Sequence, residues 1–190
     1  AAHPLVKARF TALAQAAHSV AGPAQRTAAT LGGNLCLDTR CRFYNQSESW
    51  RTANEYCMKL GSDTCRVAVK SSRCFAAFSG DLAPALMALG AEAEILGPEG
   101  PRRLPLVEFY RDDGMAWLAL EPDELLLGVR VPWSEGWASA YEKVRIRSSI
   151  DFPLAGVAVA LRRDGAVLGD LRVALTGVSS RPEFLALEEL

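Results

Sequence analysis

An α+β chain with a cysteine-bearing insertion is what this sequence predicts, on three observations. Apolar residues recur at helical spacing near the N-terminus. All five cysteines fall between residues 36 and 74, in a stretch of weak periodicity. Apolar, strand-like runs joined by short turns follow Pro132. An apolar content of 49% beside 23% charged residues belongs to a chain that buries a core. Its 190 residues suffice for one large domain or two small ones.

The elements follow in order. Leu5, Val6, Phe10, Leu13, Ala14, Ala17 and Val20 predict an amphipathic helix over 2–19. It carries His3 and His18, the chain's two histidines, which read as helix-end or surface groups. Gly22-Pro23 ends it. Residues 27–35 read as a short strand broken by a Gly32-Gly33 turn. Residues 36–78 are polar and basic, with no sustained period. Arg40, Arg42, Arg51, Lys59, Arg66, Lys70 and Arg73 there outnumber Asp38, Glu48, Glu55 and Asp63. So long a stretch inside a compact domain needs something to hold it together. A short helix fits 49–60.

"SGDLAPALMALGAEAEI" predicts a capped helix and then a strand. Ser79 or Asp81 is the cap, Pro84 lies in the first turn and Gly90 ends the helix. "RRLPLVEFY" reads as strand leading to helix, and "DELLLGVRVP" as a strand. A domain boundary is expected near 133–137. Beyond it "ASAYEKVRIR", "LAGVAVALRR" and "VLGDLRVALTGV" read as strands, with "RDGA" as a hairpin turn and "RPEFLALEEL" as the start of a helix. The opening without Met and the stop inside that helix-like run predict a piece of a longer polypeptide.

Several chemistries lack their motifs. There is no GxGxxG, Walker A, HExxH or nucleophile elbow. Asp112-Asp113 and Glu188-Glu189 read as a turn and a solvated helix face. A formal net charge of −1 offers no basic surface for nucleic acid or an anionic membrane. No apolar run approaches the ~18 residues of a membrane helix.

The cysteines are spaced C-x4-C-x15-C-x7-C-x8-C, unlike the close pairs of structural zinc sites. Four well-separated thiolates suit a 4Fe–4S cluster, whose negative charge the basic residues would offset. On spacing alone, a zinc site and incidental thiols stay open. The clustering argues against a disulfide scaffold and for a reducing compartment, hence the cytoplasm. Gly32-Gly33 is either a plain tight turn or a place where backbone N–H groups approach a diphosphate.

"TAATLGGNL" (27–35), "SGDLAPALMALGAEAEI" (79–95), "EPDELLLGVRVP" (121–132) and "YEKVRIRSSIDFPLAGVAVAL" (141–161) occur in that order. Together they resemble the FAD-binding subunits of the xanthine dehydrogenase / molybdenum hydroxylase family. The stretch between Asn34 and Asp81, with "NLCLDTRCRFYNQSESWR" and "SSRCFAAFSGDLAPAL", resembles the insertion of the 4-hydroxybenzoyl-CoA reductase β subunits within that family.

The resemblance implies a two-layer FAD-binding domain of the vanillyl-alcohol-oxidase type over 1–135. An inserted iron–sulfur lobe occupies about 37–78, and the C-terminal α+β domain of CO-dehydrogenase-type flavoproteins begins over 136–190. It implies diphosphate binding at Thr30, Leu31, Gly32, Gly33 and Asn34, a ribityl- or adenosine-side Asp81, an isoalloxazine-side Leu126 and a flavin-side Lys143. It implies 4Fe–4S ligands at Cys41, Cys57, Cys65 and Cys74, with no substrate chemistry on this chain. The family's first Gly-rich FAD loop would lie upstream. The implied partners are a molybdenum-containing large subunit, a small subunit with 2Fe–2S clusters and a ferredoxin-like donor. Electrons would pass from that donor through the 4Fe–4S cluster and FAD to the molybdenum cofactor, for reductive dehydroxylation to benzoyl-CoA. Another hydroxylase of the family and a zinc-stabilised, non-redox binding module are the rival expectations.

Overall fold

The computed structural model describes residues 3–133 and 135–185. The N-terminal helix is two helices, α1 (Pro4–Arg9) and α2 (Thr11–Ser19), separated at Phe10 by a non-helical backbone (φ −127°, ψ 60°). The His3 ring caps the first, its Nδ1 accepting from Leu5 N–H at 3.3 Å. α3 (Pro23–Arg26) follows.

The strand expected over 27–35 is instead a short helix, α4 (Leu31–Leu35). Thr30 is responsible: its Oγ1 accepts from Gly33 N–H at 3.0 Å, a side-chain cap that starts a helix where Gly-Gly alone suggests a turn. α5 (Glu48–Ala53) and a 3-10 turn (Met58–Leu60) form the regular structure of the cysteine lobe. α6 (Leu82–Ala88) ends at Gly90, whose φ of +71° is the left-handed conformation that glycine adopts without strain.

Two antiparallel sheets follow. The first, ordered β2-β1-β3, joins β1 (Glu92–Gly97), β2 (Gly100–Pro105) and β3 (Leu125–Arg130). The β1–β3 register shifts between Glu94 and Ile95, so that Ile95 pairs with Leu126. The second, ordered β4-β5-β6-β7, joins β4 (Trp137–Val144), β5 (Ala155–Asp164), β6 (Val167–Thr176) and β7 (Glu183–Leu185). Gly165, at φ +64°, makes the β5–β6 hairpin. The helix expected from residue 181 is strand β7 where described, paired through Ala174 and Phe184 on the sheet edge. Its continuation, 186–190, lies outside the described residues.

α6 packs against β5 and β6 with all seven of its residues buried. Small residues make this possible: Ala83, Ala85 and Ala88 meet a sheet that presents Ala158, Ala160 and Ala174, all fully buried, and side chains this small let helix and sheet approach closely. One buried cluster runs from these alanines through Leu35, Phe78 and Leu86 to Ala93 and Ile95 of the first sheet. No helix among the described residues is long and apolar enough to cross a membrane.

Candidate functional site

Two sites lie at opposite ends of one short segment, residues 35–40. The first is a cavity of ≈ 500 Å³ lined by Thr30, Gly33, Asn34 and Asp81 together with Ala29 and Phe152. Leu31 lines an adjoining cavity with Arg26 and Leu82. The first N–H groups of a helix have no intrahelical partner. Gly33's goes to Thr30, and no hydrogen bond within the described residues uses those of Leu31 and Gly32. A Cβ at Gly32 would meet nothing within 4 Å, so the backbone there lies open to a ligand.

The capping role expected of Ser79 or Asp81 falls to Asn34. The cap of α6 is the Asn34 side chain, whose Oδ1 accepts from Leu82 N–H at 2.9 Å, while Asp81 makes no side-chain cap bond. Gly80 permits this, because a Cβ there would lie 2.6 Å from the Asn34 carbonyl oxygen. Asp81 instead turns toward β4. Its Oδ1 accepts from Tyr141 Oη at 2.7 Å, and it pairs with the Lys143 ammonium at 3.0 Å. Lys143 also donates to the Ser19 carbonyl at 3.0 Å. Both charged side chains are almost wholly buried. Burial pushes the Asp81 carboxyl up, against the pull of Tyr141 and Lys143. Burial, reinforced by Asp81, raises the Tyr141 phenol far above its ordinary value. Lys143 therefore reaches the cavity only through Asp81. Leu126 lies on β3, beside α4, and packs against the core. Sequence reading did not single out Tyr141, which lies two positions from Lys143 on the same face of β4; that alternation was the available signal.

The second site is the cysteine lobe. Its chain leaves and returns side by side, through an antiparallel bridge in which Arg40 and Ala77 exchange N–H···O bonds of 2.9 and 2.8 Å. Between Cys41 and Ala76 the buried residues are Cys57, Cys65, Cys74 and Ala76. Cys41, Cys57, Cys65 and Cys74 all line one small cavity of ≈ 10 Å³. The sulfurs accept backbone N–H groups: Cys41 from Tyr44 at 3.3 Å, Cys65 from Phe75 at 3.4 Å and Cys74 from Ala76 at 3.4 Å. Burial pushes the Cys74 thiol up, while the Ala76 N–H and the Lys59 ammonium pull it down. Cys36 stands apart at the end of α4, its thiol also raised by burial. All five cysteines are free. Among the described residues, no three His, Cys, Asp or Glu side chains converge where a single metal ion could sit.

The profile of the family described as the FAD binding domain in molybdopterin dehydrogenase matches residues 1–134. The chain is 35% identical over 191 aligned residues to the aldehyde oxidoreductase FAD-binding subunit PaoB of Escherichia coli, covering 96% of this chain and 59% of that one. It is 29% identical over 178 residues to the carbon monoxide dehydrogenase medium chain of Hydrogenophaga pseudoflava, covering 93% and 47%. A solved structure of carbon monoxide dehydrogenase from that organism, lacking the Mo-pyranopterin moiety of its cofactor, superposes with a TM-score of 0.67 at 27% identity. The match covers 96% of this chain and half of that one. The chain thus spans about half the length of its curated relatives, which are oxidoreductase chains. On the family match and the shared fold, it belongs to the FAD-binding domains of the molybdopterin dehydrogenases.

Proposed function

We propose that this chain holds FAD and a 4Fe–4S cluster side by side, as the electron-transferring flavin part of a molybdenum hydroxylase-type enzyme. The observation that carries the reading is that three of the four residues buried between Cys41 and Ala76 are thiols, with four cysteines around one cavity. Each thiolate of such a cluster binds a different iron, so the sulfurs stand farther apart than around one zinc ion, where each lies ~2.3 Å from the metal. The N–H groups on three of the sulfurs suit thiolates.

Flavin and cluster, when bound, supply one-electron transfer. The chain's own residues position them. Leu31 and Gly32 offer N–H donors to the diphosphate. Asp81, oriented by Tyr141 and Lys143, offers a carboxylate to ribityl or ribose hydroxyls. Residues 35–40 tie the two sites together, which keeps them neighbours. We read 1–135 as the second part of the FAD-binding domain and 136–190 as the start of the C-terminal domain. The family match ending at 134 supports this.

The partners follow as a molybdenum-containing large subunit and a small subunit with 2Fe–2S clusters. The likeness of the insertion to the 4-hydroxybenzoyl-CoA reductase β subunits favours electrons entering at the lobe from a ferredoxin-like donor. They would drive loss of the phenolic hydroxyl as water, giving benzoyl-CoA. A second reading has its own observation: the similarity to PaoB over 96% of the chain favours an aldehyde as substrate. Electrons would then run the other way and leave through the lobe.

Metal and flavin analysis of the full-length subunit, purified without oxygen with its partners, is the test. The expected result is one FAD with about four irons and four sulfides beyond the partners' clusters; zinc in their place, or no metal, refutes the cluster. Bleaching of the flavin by an aldehyde would select the second reading. Reoxidation of the reduced complex by 4-hydroxybenzoyl-CoA would select the first.

A further inference from the structure

Lys59 belongs both to the wall of the four-cysteine cavity and to the frame that carries it. It lies two positions after Cys57, in the 3-10 turn, and its side chain is 8% exposed. The ammonium donates to Asp38 Oδ1 at 2.6 Å and to the carbonyls of Thr39 and Gly114, each at 2.8 Å. The Thr39 hydroxyl accepts from it as well. Its protons are thereby shared between the neck of the lobe and the loop before β3. The rings of Tyr44 and Trp117 flank it at 5.1 and 4.7 Å. The carboxylate beside it, Asp38, is one-third exposed and also pairs with Arg40 at 3.3 Å. Two cations thus share one carboxylate; Arg66 also lines the cavity, and Asp113 Oδ1 accepts from the Cys74 N–H at 3.2 Å. Burying an ammonium carries a desolvation penalty that an apolar side chain of similar length would avoid, so packing alone does not account for a lysine here.

We propose that Lys59 sets the redox potential of the cysteine site, holding a fixed positive charge against the thiolates while it anchors the lobe to the loop before β3. The inference rests on the reading of the cavity as a 4Fe–4S site. Reduction adds one electron, from the flavin or a protein donor, to a centre already negative through its thiolates, and breaks no bond. A cation held beside it in a low-dielectric wall favours the reduced form and raises the potential. Lys59 is a positioning residue and ligates nothing.

The experiment is an EPR-monitored redox titration of the complete complex, with the partners' 2Fe–2S signals as internal reference. Lys59→Met is expected to lower the potential of the 4Fe–4S signal, with iron and flavin content kept. Lys59→Arg is expected to hold it near the parent value. Asp38→Asn, which removes the offsetting carboxylate, is expected to shift it upward. An unchanged potential in Lys59→Met, or equal shifts in Lys59→Met and Lys59→Arg, overturns the proposal. Should Lys59→Met lose its iron, Lys59→Gln decides: a lowered potential supports the proposal and no shift overturns it. A parent complex without the extra iron and sulfide removes the cluster reading itself, and that failure shows in the metal content before any variant is titrated.

Discussion

All seven residues of α6 are buried and meet the alanines of β5 and β6. Between Cys41 and Ala76, a stretch five times as long, the buried residues are three cysteines and one alanine. The first region is held by apolar area removed from water and by close packing. The second has little of either. It carries two adjacent non-glycine residues, Glu55 and Tyr56, at φ +57° and +58°, a conformation that side chains resist. Polar anchors hold it: Arg66 Nε to the Tyr56 carbonyl at 3.0 Å, Tyr56 Oη to Glu48 at 2.8 Å, and Lys59 to the frame. A core of thiols becomes a strong core only when something bridges them.

The sharpest way to break the comparison is to remove the proposed cluster. Stripping iron with a chelator, or Cys57→Ser, should abolish hydrogen-exchange protection over 41–76. It should leave α6, β5 and β6 protected, with the Arg40–Ala77 bridge as the border. Equal loss on both sides of that border would mean that the lobe is not a separate unit of stability. The reverse perturbation is Leu86→Ala in the alanine core. Emptying a fully buried site should cost ~2–5 kcal/mol in global unfolding by denaturant, with the iron content of the folded fraction unchanged.

Gly33→Val tests the flavin side. Its Cβ would lie 2.9 Å from Thr30 Oγ1 and its methyl groups would enter the cavity. The full-length subunit should lose most of its flavin and also ~1 kcal/mol of capping stability. Normal flavin content would remove the diphosphate role of α4. The smallest effect is expected outside the linings of both cavities, where Arg102 clamps Glu124 with bonds of 2.6 and 2.7 Å. That clamp holds the Glu124 carboxyl down at about 2. Its folded value lies below its unfolded one, so the stability it adds is present above the ordinary 4.5 and is lost as pH falls through about 2. Glu124→Gln should therefore lower Tm slightly at pH 7, and the gap from the parent should close over that acid range. A pH-independent gap would assign the effect to packing.

Much of this was legible in the residues. Pro84 and Gly90 bracket α6 as local rules require, the Asp164-Gly165 turn makes its hairpin, and the thiols announce one site by their grouping. The misreadings share a cause. Residues 27–35 resemble a strand in hydrophobic pattern, but a single Thr30 cap outweighs that pattern. Ser79 and Asp81 are both acceptable caps for α6, yet Asn34 does the capping from another helix.

The sequence by itself determined the α+β class, strands β1–β6 with the β5–β6 turn, and the set of thiols, because periodicity, turn chemistry and residue type act over a few neighbours. Only the tertiary structure decided that Asp81 faces Tyr141 and Lys143, that Asn34 caps α6, and that Lys59 joins the lobe to its frame. Those partners are distant in the chain. Burial settles them, since a charge taken out of water must find its counter-charge or its hydrogen bonds wherever the packed chain presents them.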